Sequence, residues 1–210
     1  SGRATLVNLI PRFYDAASGQ VLVDGTDVKE YSLDELRDKT GVVPQKSVLF
    51  KGTLRDNMRW GKQDASDEEI YRALDTAQAR EFVDSKGEGL DLYIDQGGHN
   101  LSGGQRQRLT IARALVRRPE ILIMDDSASA LDFATDARLR KAIRENTGDM
   151  TVFIVSQRAT TIKSADTILV LDEGRLAGMG THKELLKDCQ VYREICLSQL
   201  SKEEVERDEQ

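Results

Sequence analysis

The sequence predicts an α/β domain, a parallel sheet flanked by helices, with a helical subdomain inserted into it. Three observations lead there. Short apolar runs with the length of buried strands, "ILIM" (121–124), "VFIV" (152–155) and "ILVL" (168–171), alternate with helical patterns. The stretch 46–118 carries helical spacing with few strand signals, so it reads as an insertion between 1–45 and 119–210. Helix-start signatures recur, with Ser32/Glu35 and Ser66/Glu69 each forming the Ser-x-x-Glu pattern of a capping box.

In chain order, "QVLVDG" (20–25) predicts a strand running into an Asp-Gly turn. A helix follows from Ser32, then a β-branched strand in "TGVVPQ" (40–45), ended by Pro44. Ile70, Leu74 and Ala77 form one apolar stripe of a helix begun at Ser66. Another helix starts near Gly103, with Leu109, Ile111, Ala112, Leu115 and Val116 apolar along it. Helices are expected at 133–145 and after Thr181, with strands at 167–171 and 175–178. The tail "SKEEVERDEQ" reads as a solvated or fraying helix end, Trp60 as a packing residue and His182 as a helix cap.

The net charge of −6 gives no basic face for nucleic acid. No apolar run approaches the roughly 20 residues of a membrane span, and no signal peptide is read, so a membrane role would come through a partner or another segment. Cys189 and Cys196 are too few for a metal site or a disulfide framework and are expected to be reduced thiols.

Three stretches carry chemistry. "SGRAT" (1–5) resembles the end of a phosphate-binding loop, G-x-x-x-x-G-K-[ST], with Gly2 in place, Arg3 for lysine and Ala4 for the hydroxyl residue. "LSGGQ" (101–105) places two glycines at a helix start, where free N–H groups and the helix dipole suit an anion. "ILIMDD" ends a buried strand in Asp125 and Asp126. A carboxylate there can hold Mg²⁺, and the next one can orient or deprotonate a water. Asp-Asp after a strand is equally compatible with a helix cap.

Together, "VVPQ", "LSGGQ", "ILIMDDSASALD" and "VSQRATT" resemble the nucleotide-binding domain of ABC transporters over essentially the whole chain, and "KGTLRDNMRWG" resembles the exporter branch. The resemblance implies a P-loop NTPase fold whose N-terminal strands would precede residue 1. It implies ATP and Mg²⁺, a second nucleotide-binding domain and transmembrane domains as partners, and a place on the cytoplasmic face of a membrane. Gln45 matches the glutamine that senses Mg²⁺ and faces the transmembrane part. Ser102, Gly103, Gly104 and Gln105 match the signature that grips ATP bound to the opposite subunit. "DQGGHN" (95–100) matches the segment that contacts the coupling helices, with His99 a surface or partner contact. Asp125 matches the Mg²⁺ ligand, and Ser129 to Asp132 match the D-loop at the dimer interface. "LVLDEGRLAGMGTHKELL" matches the C-terminal hairpin and helix.

Three departures stand out. Asp126 replaces the usual glutamate and Gln157 the usual histidine, and glutamine can bond a phosphate but carries no proton. Arg3 and Ala4 replace lysine and serine, and Thr5 lies one place too late to substitute for that serine. Arg3-Ala4 is open to two readings, a natural substitution or an artificial junction near Thr5; either way this remnant is expected to bind nucleotide poorly. Asp126 with Gln157 resembles the degenerate subunit of heterodimeric exporters, which donates an intact signature to a competent partner. Drift in a homodimeric transporter is the alternative.

Overall fold

The computed structural model describes residues 2–210, so Ser1 of the opening motif lies outside the described residues. In chain order the elements are α1 (Arg3–Asn8), β1 (Leu22–Val23), β2 (Thr26–Asp27), α2 (Leu33–Lys39), β3 (Thr40–Val43), β4 (Gly52–Thr53), α3 (Leu54–Arg59), α4 (Asp67–Thr76), α5 (Arg80–Ser85), β5 (Tyr93–Ile94) and α6 (Gly103–Val116). There follow β6 (Ile121–Asp125), α7 (Phe133–Asn146), β7 (Thr151–Val155), α8 (Ala159–Ile162), β8 (Ile168–Asp172), β9 (Arg175–Gly180), α9 (His182–Asp188), α10 (Gln190–Gln199) and α11 (Lys202–Glu209). They form two compact units. One is Ala17–Ile154; the other joins the residues up to Ala16 with Val155–Gln210.

The unit Ala17–Ile154 is organised by a sheet of order β3-β6-β7. β3 and β6 run parallel, from Thr40 opposite Ile121 to Val43 opposite Met124. Leu122, Ile123 and Met124 are all buried, so both faces of β6 are covered, as a parallel strand requires. The predicted α4 stripe of Ile70, Leu74 and Ala77 is fully buried beside Leu109, Ile111 and Leu139. Both predicted capping boxes form, at Ser32/Glu35 and Ser66/Glu69. The Asp-Gly turn also forms: Asp24 and Gly25 have φ of 51° and 77°, and join the short ribbon β1–β2.

Two expectations for this unit need correction. The 46–118 segment is not purely helical: Gly52 pairs with Ile94 and Thr53 with Tyr93 in an antiparallel ladder. Two residues per strand are too few to display alternation in sequence. Trp60 is not a core residue but 69% exposed, with one ring face stacked on Phe50 at 4.7 Å. Asn57 fixes the Phe50 backbone from below, its Nδ2 donating to Phe50 O and its Oδ1 accepting from Phe50 N, both at 2.8 Å.

The other unit is built on the β8–β9 hairpin, which turns at Glu173-Gly174. Ile168 and Val170 face a core of Leu185, Leu186, Tyr192 and Val205. Cys189 and Cys196 lie in it as free, buried thiols. The tail does not fray. Ser201/Glu204 form a capping box, Val205 is fully buried, and Arg193 bonds Glu209 at 2.7 Å. His182 is not the cap of α9, because Thr181 Oγ1 accepts the Glu184 N–H. Instead the His182 ring bridges Tyr192 Oη (2.6 Å from Nδ1) and Asp208 Oδ2 (3.1 Å from Nε2).

Burial works against the Asp208 charge, but the bonds from His182 and Lys163 outweigh it and hold the carboxyl below the usual carboxylate range. A depressed carboxyl adds stability that is complete above its unfolded value of about 3.9 and is lost as pH falls through the folded value. Thermal unfolding followed from neutrality down through that window is expected to show a lower midpoint for Asp208→Asn near neutrality and a shallower loss on acidification. Parallel curves for the two proteins would show that Asp208 does not tie down α11.

Candidate functional site

The parallel register brings the ends of β3 and β6 to one edge of the sheet. Asp125 closes β6, and Gln45 follows β3 by two residues, past Pro44. Asp126 then turns out of the strand in a left-handed conformation, φ 49°, which few residues other than glycine adopt. Ser129 N–H closes that turn onto Asp126 O at 3.4 Å. In this conformation Asp126 Oδ2 accepts a bond from Gln45 Nε2 at 3.3 Å. The sequence reading anticipated both residues in the site but not this contact. Mg²⁺ is commonly held by one or two carboxylates plus substrate phosphates rather than by a protein cage. A carboxylate and an amide at one strand-end edge suit that arrangement, and among the described residues no cluster of three ligands competes with it.

The signature lies in the same unit. Ser102 caps α6 with the reciprocal bonds of a capping box: Gln105 N–H donates to Ser102 Oγ (3.1 Å), and Ser102 N–H to Gln105 Oε1 (3.0 Å). A helix start leaves four N–H groups without intrahelical partners. The box satisfies two of them, so Gln105 serves the cap, and the open donors are the amides of Gly103 and Gly104. They border a hollow of about 410 Å³ whose far side is Ala130, Leu131, Asp132 and Thr135.

Asp132 caps α7, accepting from Thr135 N at 2.7 Å and Thr135 Oγ1 at 3.0 Å. The Thr135 backbone bond, followed by its hydroxyl bond, lowers the Asp132 pKa. Asp132 therefore borders the hollow with its carboxylate already engaged. Two residues on α6 escaped the sequence reading. Arg108 lines the hollow, bonded to Gly104 O and Gln78 O at 3.2 and 2.9 Å, and burial lowers its pKa. Gln107 is buried and bonded to Ser129 and Ala130. Both lie in the polar run "QRQR" (105–108), of which the sequence reading singled out only Gln105.

The remaining predicted residues lie in the unit of the chain ends. Gly2 precedes the six-residue α1, which contains Arg3, Ala4 and Thr5, and Leu6 N–H donates to Gly2 O at 3.0 Å. Gln157 is exposed, and its carbonyl accepts from Gln199 Nε2 at 2.6 Å. Gln199 Oε1 also accepts the Ala159 N–H at 2.7 Å, so one α10 side chain clips the whole turn. His99 is exposed, as expected of a surface contact.

The family model described as "ABC transporter" matches residues 1–129. An uncharacterized ABC transporter ATP-binding protein of Mycobacterium tuberculosis is 48% identical over 202 residues, covering 95% of this chain and 34% of that protein. A Bacillus subtilis protein, named for multidrug export as an ATP-binding/permease protein, is 42% identical, covering 92% and 33%. The solved structure of a bacterial Atm1-family ABC exporter with ATP bound superposes with a TM-score of 0.91 at 38% identity, covering 96% of this chain and 35% of that one. The chain thus spans about a third of the length of these relatives. No helix among the described residues is long and apolar enough to cross a membrane. A signature at a bare helix start, a carboxylate-tipped β6 and this match over most of the chain place it in the ABC transporter family.

Proposed function

We propose that this chain is the ATP-driven engine of an exporter, working on the cytoplasmic face of a membrane. Two such domains sandwich ATP, and their closure drives transmembrane domains. The observation that carries this reading is the glycine pair. A Cβ added at Gly103 or Gly104 would meet the rest of the chain only at ordinary contact distances, 3.7 Å and 3.4 Å. Elsewhere glycine is sterically required, as at Gly61, where a Cβ would sit 2.2 Å from Arg113 O. Glycine is a poor helix residue, and nothing within the chain demands it at 103–104. A ligand approaching two bare amides does.

The chemistry is in-line attack of water on the γ-phosphate, catalysed by positioning and charge neutralisation. Asp125 and Gln45 would hold the Mg²⁺ of Mg-ATP, which supplies charge neutralisation at the phosphate oxygens. Asp126 orients the attacking water, and Gln45 Nε2 holds that carboxylate in place. The family resemblance gives Gln157 the role of a γ-phosphate contact, which a glutamine amide can make without carrying a proton. Gly2, Arg3, Ala4 and Thr5 correspond to the end of the phosphate-binding loop. Arg3 keeps a positive charge but as a planar fork, and Ala4 offers no hydroxyl to the metal. The exposed Phe50–Trp60 stack supports docking of a transmembrane partner on this unit.

Gly104→Ala separates structure from function. We expect an unfolding midpoint equal to or above that of the native chain, because alanine suits a helix better. Turnover of ATP by the full-length exporter is expected to fall by roughly 10²-fold, because the added methyl stands where the phosphate must approach the amides and a displacement near 1 Å can cost about that much. Full activity in Gly104→Ala would overturn the reading.

A second reading rests on Asp126 and Gln157, in which this chain binds ATP without hydrolysing it efficiently and donates its signature to a catalytic subunit. Asp126 is one methylene short of glutamate, and a misplacement near 1 Å can cost on the order of 10²-fold. Asp126→Glu with Gln157→His in the full-length assembly is expected to raise turnover by at least about 10-fold. Unchanged turnover would leave hydrolysis with the native Asp126 and remove the degenerate-partner reading.

A further inference from the structure

Gln107 is a primary amide on the inner side of α6, only 6% exposed among Leu109, Ile111 and Ala112. A buried amide is costly unless its donors and acceptor are used. Here both ends are engaged by one segment: Oε1 accepts the Ala130 N–H at 2.9 Å, and Nε2 donates to Ser129 Oγ at 3.4 Å. That segment is the turn that begins at Asp126, whose carbonyl accepts the Ser129 N–H. Ala130 is also the nearest neighbour of the signature glycines; its carbonyl oxygen lies 3.4 Å from where a Gly104 Cβ would be.

We infer that Gln107 is a positioning residue that locks the Ser129–Asp132 turn to the start of α6. The bare amides of Gly103 and Gly104 and the far wall of the hollow then meet an incoming nucleotide as one rigid edge. An apolar residue of similar volume would fill the same space, but it would leave the Ala130 N–H without its partner and free the turn to move. Because Ser129 also bonds Asp126 O, the same lock ties the signature to the turn carrying this chain's own candidate base. The inference rests on the sandwich reading above, since the rigid edge matters for a nucleotide presented by another subunit.

The test is steady-state ATP turnover of the full-length exporter with Gln107→Leu and Gln107→Glu. For Gln107→Leu we expect kcat to fall roughly 10-fold or more with KM for ATP changed less than about 3-fold, the pattern of lost transition-state positioning. Gln107→Glu keeps an oxygen for the Ala130 N–H and an acceptor for the Ser129 hydroxyl, so it should recover turnover to within about 3-fold of the native protein. A native kcat in Gln107→Leu, or a loss confined to KM, would overturn the inference. So would a Gln107→Glu protein as impaired as Gln107→Leu. Amide exchange supplies a readout that needs no variant: the Ala130 N–H of the native protein should be protected, and exchange at the rate of an open loop would overturn the lock. Absence of any ATP turnover in the native exporter would instead sink the parent reading, so the two failures are distinguishable.

Discussion

The first turn of α6 is the constraint on which the rest of the unit Ala17–Ile154 depends. A helix start must dispose of four N–H groups, and this one disposes of two. Ser102 and Gln105 satisfy each other's amides, which fixes the direction of the chain into the helix. Gly103 and Gly104 are left with donors facing the hollow. Three residues further on, the same helix turns core-ward. Leu109, Ile111 and Ala112 are fully buried against α4, and α6 packs along β3. The open end of the helix is therefore held by its closed end. Gly103 and Gly104 thus begin an element anchored in the larger of the two apolar clusters among the described residues.

The strand-end site is fixed differently, through the backbone. β3 and β6 run in register, so Gln45 and Asp125 arrive at the same edge with no long side chain required to reach it. Asp126 leaves that edge in a left-handed conformation, held by the Ser129 bond to its carbonyl. The glutamine contact to Asp126 then restrains the carboxylate. A shorter carboxylate with its own partner is consistent with a residue kept in place at some cost in reach. That combination underlies both functional readings, since it preserves the fold of the site whatever its rate.

Much of this was legible in sequence where a local rule acted alone. The Ser-x-x-Glu boxes, the stripe of Ile70, Leu74 and Ala77, and the Asp24-Gly25 turn each follow from a few neighbouring residues. Other features depend on residues distant in the chain. Val205 is a single apolar residue in a charge run, and its burial needs the hairpin and α9 to be in place. His182 bonds Asp208, 26 positions away, so adjacency to a helix start misdescribed it. Trp60 is aromatic and was read as a packing residue, but α3 buries Leu54, Asn57 and Met58 and leaves the indole exposed, stacked on Phe50. Gln107 was invisible for the opposite reason, a polar residue in a polar-looking repeat that the fold buries. Each of these exceptions concerns an exposed aromatic or a tie between elements, where periodicity carries no information.

The central claim, that two uncapped amides receive a nucleotide phosphate, is tested most directly by residue-resolved amide exchange in the full-length protein with and without a non-hydrolysable Mg-ATP analogue. The account predicts that the Gly103 and Gly104 amides gain protection of about 10-fold or more on nucleotide addition, while the Gln105 amide, already bonded to Ser102, does not change. Equal exchange of the glycine amides in both states, with nucleotide demonstrably bound, would contradict it.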